Sequence, residues 1–183
     1  MTVIIYGAIL GLTRILVTKT QSEEADEMKR IDIYTVKQVK ESGKNYELDN
    51  AFINSPEDAA KIIETVFSLS EEPGEVFGIL NLNIKHKISG AHIVSRGTLN
   101  ASLVHPREVF RQAILNNAAG FVLFHNHPSG DATPSREDIE VTRRLIEAGK
   151  IIGIEMLDHV VIGDGGKYVS FREKGLMPAS YSG

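Results

Sequence analysis

The chain carries His125-Asn126-His127, with Ser135 eight positions and Asp138 eleven positions beyond His127. Side chains two apart on a strand point to the same face, so the two imidazoles can meet at one point as a bidentate metal clamp. A helix opening at Ser135 places Asp138 in its first turn, where a carboxylate completes the set. Two nitrogens and one oxygen leave the fourth tetrahedral position for water, the arrangement of a catalytic rather than a structural zinc, with one Zn2+ per chain. In a chain with six histidines about 0.2 His-x-His pairs arise by chance, so the pair alone says little. Requiring Ser and Asp at these offsets lowers the expectation to about 6 × 10⁻⁴, which makes the joint pattern specific. Ser135-x-x-Asp138 is also a capping box that needs no metal. Beside the histidines, the metal reading is favoured.

The elements that must position these residues fit the composition. The 183 residues suit one ordinary domain with about thirty to fifty to spare. Hydrophobic residues make up 42% and charged residues 24%, which excludes collagen-like, low-complexity and wholly disordered chains. Net charge is −4, without the basic excess that drives non-specific binding to phosphate backbones. No cysteine is present, which excludes disulfides, thiolate zinc sites, Fe–S clusters and thiol nucleophiles, and fits a reducing, cytoplasmic setting. Any metal must be held by His, Asp or Glu.

Phe121-Val122-Leu123-Phe124 is a short apolar run, as expected of a central strand covered on both faces, and it ends in the His-Asn-His group. Pro128 to Pro134 is a loop, and the helix from Ser135 carries Ile139, Thr142, Leu145 and Ile146 until Gly149 stops it. Upstream, Ser55 caps a helix over about 56–70 with Pro56 at its first position and Ala59, Ile62, Ile63, Val66 and Phe67 on its apolar face. Val76 to Ile84 and Ile88 to Ser95 form a hairpin across Lys85-His86-Lys87. Pro106 opens a second helix that buries Val109, Phe110, Ala113 and Ile114, and strands near 154–157, 160–162 and 168–171 finish the chain. A sheet with helices packed on it, α/β or α+β, follows.

The N-terminal segment is harder to place. Val3 to Val17 is apolar but shorter than the ~20 residues that cross a bilayer, and Arg14 interrupts it, so no membrane span is expected. It is also a poor signal peptide. It reads as an accessory strand or helix, or as untranslated sequence ahead of a start at Met28; residues 31–39 read as an extended arm. The organisation expected is an extension over 1–54 and a domain over 55–183.

His125-Asn126-His127-Pro128-Ser129-Gly130-Asp131 through Ser135-Arg136-Glu137-Asp138 resembles the JAMM (MPN+, JAB) motif, and its surroundings resemble the RadC-like branch of that family. The likeness runs from about Ser55 to Gly175 and includes Gly97-Thr98-Leu99-Asn100, His105-Pro106-Arg107-Glu108, Asn116-Asn117-Ala118-Ala119 and Leu157-Asp158-His159. The resemblance implies an α/β sandwich around a mixed central sheet, related to the cytidine deaminases. It also implies an upstream catalytic glutamate at the start of the first core strand, where Glu75 stands in Pro73-Gly74-Glu75-Val76; Glu71 and Glu72 precede the Pro-Gly break. On this reading His125, His127 and Asp138 hold the metal, Glu75 moves the proton of a water and Ser135 stabilises the oxyanion.

The reading that results is a zinc metallopeptidase or isopeptidase acting on a peptide or protein substrate. A DNA-repair-associated or nucleic-acid-processing protein using the same metal is a second reading, favoured by the family's history. Charge and the lack of a helix-hairpin-helix segment oppose it. A non-catalytic MPN binding scaffold is a third. His105 and His159 read as structural, His86 and His92 as turn and surface residues, and Arg107, Arg143 and Arg144 as solvated.

Overall fold

The computed structural model describes residues 51–97 and 104–177 of the chain. The apolar N-terminal run, the arm over 31–39, the Met28 start and Thr98-Leu99-Asn100 lie outside the described residues. The elements are α1 (Pro56–Phe67), β1 (Val76–Leu82), β2 (Ile88–Arg96), α2 (Pro106–Leu115), β3 (Gly120–Asn126), α3 (Arg136–Ile152), β4 (Glu155–Ile162) and β5 (Tyr168–Ser170), with single 3-10 turns at Leu69–Glu71 and Asp164–Gly166. One sheet has the order β2-β1-β3-β4-β5. β3 and β4 run parallel and the other neighbours antiparallel, so the sheet is mixed, in an α/β fold with helices on both faces.

Strand β3 is buried along its whole length, and its two-residue period divides the core. Phe121 and Leu123 pack with Val109, Phe110 and Ala113 of α2 and Val141 and Leu145 of α3. Val122 and Phe124 pack on the opposite face with Ala59, Ile62 and Ile63 of α1. Phe110 meets Phe121 edge to face at 5.4 Å between ring centroids, a favourable aromatic geometry. The same period sends His125 to the α3 side, after Leu123. Among the described residues no helix is long and apolar enough to cross a membrane.

Ser55 caps α1 as the sequence predicts: its hydroxyl accepts from the Asp58 N–H, and Asp58 answers to the Ser55 N–H. The helix stops at Phe67 rather than at 70, because Ser68 turns left-handed, with φ 48°. The Glu64 side chain then accepts from the N–H and hydroxyl of Ser70, holding the following turn.

Three further differences have local causes. Ile114 is 56% exposed rather than buried. With Val109, Phe110 and Ala113 facing the sheet and about 100° between successive residues, position 114 falls on the flank of α2. The polar pair Asp158-His159 does not divide two strands but lies within the single strand β4, both side chains buried. His92 is half-buried rather than fully at the surface; it lies on β2 with its Nε2 closed to solvent.

Gly149 does not stop α3, which continues to Ile152 and is closed by Gly153 in the left-handed conformation, φ 79°. Gly149 is instead the place where the following chain crosses the helix. Its N–H lies inside α3, its carbonyl accepts from the N–H groups of Gly153 and Ile154, and a Cβ there would stand 2.6 Å from the Ile154 carbonyl oxygen. Gly149→Ala should therefore destabilise the protein by about 1–3 kcal/mol, although alanine is the better helix former. Urea unfolding checks this: a midpoint at or above that of the parent would show that the contact is not tight.

Candidate metal centre

His125 is the penultimate residue of β3, His127 follows the strand directly, and Asp138 lies in the first turn of α3. The His127 N–H continues the sheet by donating to Ile162 O at 2.9 Å, which holds the chain in register one residue past the strand. The loop then folds back on itself. Gly130, with φ 81°, donates to His127 O, and its own carbonyl accepts from the Asp164 N–H. A Cβ at Gly130 would lie 2.3 Å from the Asp164 carboxylate, so this approach requires glycine.

Ser135 and Asp138 form the capping box that the sequence predicts. The Asp138 N–H donates to Ser135 Oγ at 3.1 Å, and Asp138 Oδ2 accepts from the Ser135 N–H at 2.7 Å and hydroxyl at 2.6 Å. The cap and the metal-ligand arrangement prove compatible, because the carboxylate has oxygen sites enough for both. His125 Nε2 lies 3.2 Å from Asp138 Oδ1, His127 Nε2 lies 3.3 Å from Asp138 Oδ2, and the two Nε2 atoms are 3.0 Å apart. One ligand atom from each of the three residues lies within 4.8 Å of the others.

These separations suit a small divalent cation. Ligands about 2.0–2.1 Å from a tetrahedral zinc lie roughly 3.3–3.4 Å from one another. The donor set also calls for positive charge, since three acceptors converge and two of them are closed to solvent, His125 being 0% and Asp138 1% exposed, while His127 opens to the surface. The His127 ring is already oriented for ligation: Nδ1 faces the Asp131 carbonyl oxygen at 2.7 Å, which can only accept, so Nδ1 carries the proton.

Acidities follow from the same contacts. Burial pushes the Asp138 carboxyl up, but the imidazoles of His125 and His127 beside it and the Ser135 hydroxyl outweigh it and hold the group far below the usual carboxylate range. The bond to Asp138 makes His127 more basic than a free imidazole, against the effect of burial. His125 is made less basic, first by burial. The contact with Asp138 therefore favours a proton on His127 in the metal-free protein, and a cation that binds competes with that proton.

The structure brings Glu75 to this cluster. It is half-buried just before β1, and its carboxyl is pushed up to about 7, first by burial and next by the charge of Asp138, with His127 pulling the other way. Its position depends on Asn126, whose side chain leaves β3 on the face opposite His125. Val76 N–H donates to Asn126 Oδ1 at 2.8 Å, and Asn126 Nδ2 donates to the carbonyl oxygens of Glu72 at 3.3 Å and Gly74 at 3.2 Å. The residue between the two histidines thus ties down the segment that carries Glu75. The Glu72 carboxylate pairs with Arg96 rather than with the cluster.

Sequence reasoning missed three neighbours of the site. Asn126 was legible only as a spacer, although the two-residue period shows that it faces away from the imidazoles. His159 was read as structural, yet its Nε2 lies 2.7 Å from His125 Nδ1, and its Nδ1 lies 2.7 Å from Thr142 Oγ1. Thr142, one helical turn after Asp138, was read only as part of an apolar face. His105, by contrast, is the exposed residue ahead of α2 and makes no side-chain cap there. A cavity of about 560 Å³ adjoins the His127 loop, bounded by Ser129, Asp131, Thr133, Asp164, Lys167 and Tyr168.

Residues 53–176 match the family described as the RadC-like JAB domain. A UPF0758 protein of Bacillus velezensis is 55% identical over 130 residues, covering 70% of this chain and 54% of that protein. The UPF0758 protein YsxA of Bacillus subtilis is 55% identical over 126 residues, covering 68% and 53%. One from Caldanaerobacter subterraneus is 52% identical over 128 residues, covering 69% and 53%. The chain spans about half the length of these curated relatives.

The weakened acidity of Glu75 gives a stability test without metal. Its carboxyl ionises near 4.5 in the unfolded chain and near 7 in the folded one, so between these values the folded state binds more protons and stability falls as pH rises. Metal-free Glu75→Gln should be the more stable protein at pH 8, by about 1 kcal/mol once solvent screening is allowed for, and the difference should close below about pH 5. Denaturant titrations across that range check it; a difference independent of pH would show that Glu75 is not perturbed.

Proposed function

Because the chain belongs to the RadC-like JAB domain family and gathers two imidazoles and a carboxylate beside a half-buried glutamate, we propose that it is a zinc-dependent hydrolase of amide bonds, acting on a peptide or isopeptide. The observation that carries this reading is the convergence of His125, His127 and Asp138, with Glu75 close enough to feel the charges of two of them. His125, His127 and Asp138 would hold the ion. Zinc bound there would supply Lewis acidity, ionising a water near neutral pH and polarising a carbonyl group.

Glu75 is the proton carrier in this reading. A carboxyl near 7 is matched to taking a proton from water and returning it to a leaving amine at neutral pH, and Asn126 keeps its segment in place. Ser135 can give its hydroxyl hydrogen to an oxyanion only by releasing Asp138 Oδ2, because it has one hydrogen to give. The cavity beside the His127 loop offers room for a side chain of an extended substrate. A peptide substrate is favoured over nucleic acid because the net charge is −4, without the basic excess that binding to phosphate backbones draws on.

Purified protein should bind close to one zinc per chain, and His125→Ala, His127→Ala and Asp138→Ala should each lose most of it. Elemental analysis checks this, and unchanged metal in all three variants would overturn the site. Glu75→Gln should keep its zinc while turnover of a fluorogenic peptide library falls by about 10²–10⁴-fold, with Glu71→Gln and Glu72→Gln near the parent. Cleavage of labelled DNA without any peptide turnover would favour the nucleic-acid reading instead.

Ser135 can be tested apart from its cap. Ser135→Ala should cost about 1 kcal/mol of stability and Ser135→Gly only a few tenths. Both should lose about 10²–10³-fold in kcat with zinc retained, since both lack the hydroxyl. If Ser135→Gly recovers turnover along with stability, Ser135 is a cap alone.

A further inference from the structure

Behind the metal-ligand cluster runs a row of hydrogen bonds whose direction can be worked out from one end. Thr142 Oγ1 lies 2.7 Å from Asp138 O, a backbone carbonyl that can only accept, so the hydroxyl hydrogen is committed there. The same Oγ1 lies 2.7 Å from His159 Nδ1 and must accept that bond, so the proton of His159 is on Nδ1. His159 is fully buried between Phe77 and Phe171, the latter stacked on it at 4.5 Å, and among the described residues the ring nitrogens meet only Thr142 and His125, not a carboxylate. A neutral ring with Nδ1 protonated presents a lone pair at Nε2. His125 Nδ1, 2.7 Å away, must then be the donor, and the lone pair of His125 is left on Nε2, the atom that faces His127 and Asp138.

We propose that Thr142 and His159 are positioning residues that fix the tautomer and ring angle of His125, by a proton-ordered relay Asp138 O, Thr142, His159, His125 that starts and ends on residues of the metal cluster. The proposal rests on the metal reading above for its purpose, but the order of the protons does not depend on metal. The geometry explains why α3 contributes twice to the site. Asp138 offers its carboxylate to the front of the cluster, while its carbonyl, through the side chain one turn later, sets the back. His127 has its own backbone acceptor in Asp131 O; His125, inside the sheet, has its main-chain neighbours paired with β1 and β4 and takes the imidazole of β4 in place of a carbonyl. Such outer partners commonly contribute 10- to 100-fold to metal affinity.

The test reads the protons directly. Long-range proton–nitrogen correlation spectra of histidine-labelled protein, metal-free and with zinc added, should show His159 protonated on Nδ1 only, and His125 protonated on Nδ1 with Nε2 bare. Thr142→Val, nearly the same shape but without the acceptor, should disturb that pattern at His159 and weaken zinc binding by about 10–100-fold in a chelator competition, and Thr142→Ser should restore both. Should Thr142→Val fail to fold, the spectra of the parent and of Thr142→Ser still decide. His159 protonated on Nε2, alone or together with Nδ1, would overturn the relay, as would a Thr142→Val protein with parental spectra and zinc affinity. A parent that shows the predicted protons but binds no zinc would retain the relay and reject the metal reading.

Discussion

A carboxylate withdrawn from water costs several kcal/mol unless charges and hydrogen bonds answer it, and Asp138 is 1% exposed. Much of the domain around it can be read as that answer. The Ser135 hydroxyl and N–H meet one oxygen, and the imidazoles of His125 and His127 stand against both. These partners come from the start of a helix and the end of a central strand, so the helix can begin in only one place relative to the sheet. The positive end of the α3 dipole lies at the same point and favours negative charge there. Shifting α3 by one residue would break the cap and strand the charge together.

The sheet supplies what the helix cannot. Strands β3 and β4 are parallel with α3 between them in sequence, and ligand sites in such arrangements form beyond the carboxyl ends of the strands. Here β3 runs out at the cluster, sending His125 to the α3 side and Asn126 to the other. The two neighbours then have different duties: one faces the candidate metal position, and the other holds the backbone of Glu72, Gly74 and Val76 at the entry to β1. Front, back and flank of the site are therefore set by three neighbouring strands, β1, β3 and β4, and one helix, with the His127 loop closing the remaining side against Asp164.

What could be read from the sequence is what depends on short periods. His125 and His127 share a side because a strand repeats every two residues, and Ser135 and Asp138 meet because a helix start brings position three back to the cap. Phe121 to Phe124 was legible as a covered strand because every residue in it is apolar. The family resemblance added Glu75, which no period connects to the histidines. His159 and Thr142 escaped because their contact requires the parallel register in which Leu123 lies opposite His159 and His125 opposite Val161, a pairing across 36 residues of chain. Polar side chains in β4 also looked like a break in the strand. Their burial is satisfied by Ser170, Arg172 N–H, Thr142 and His125, none of which is nearby in sequence to announce it. Gly149 misled in the opposite way: a helix-stopping residue by type, it is retained inside α3 by the close passage of Ile154.

The proposal that these three side chains hold a zinc ion is tested most directly by X-ray absorption at the zinc edge of the loaded protein. Two imidazole rings should appear in the scattering, with nitrogen and oxygen neighbours at about 2.0–2.1 Å and one ring signature lost in His125→Ala. A shell of oxygens alone, unchanged by that substitution, would place the metal elsewhere and contradict the account.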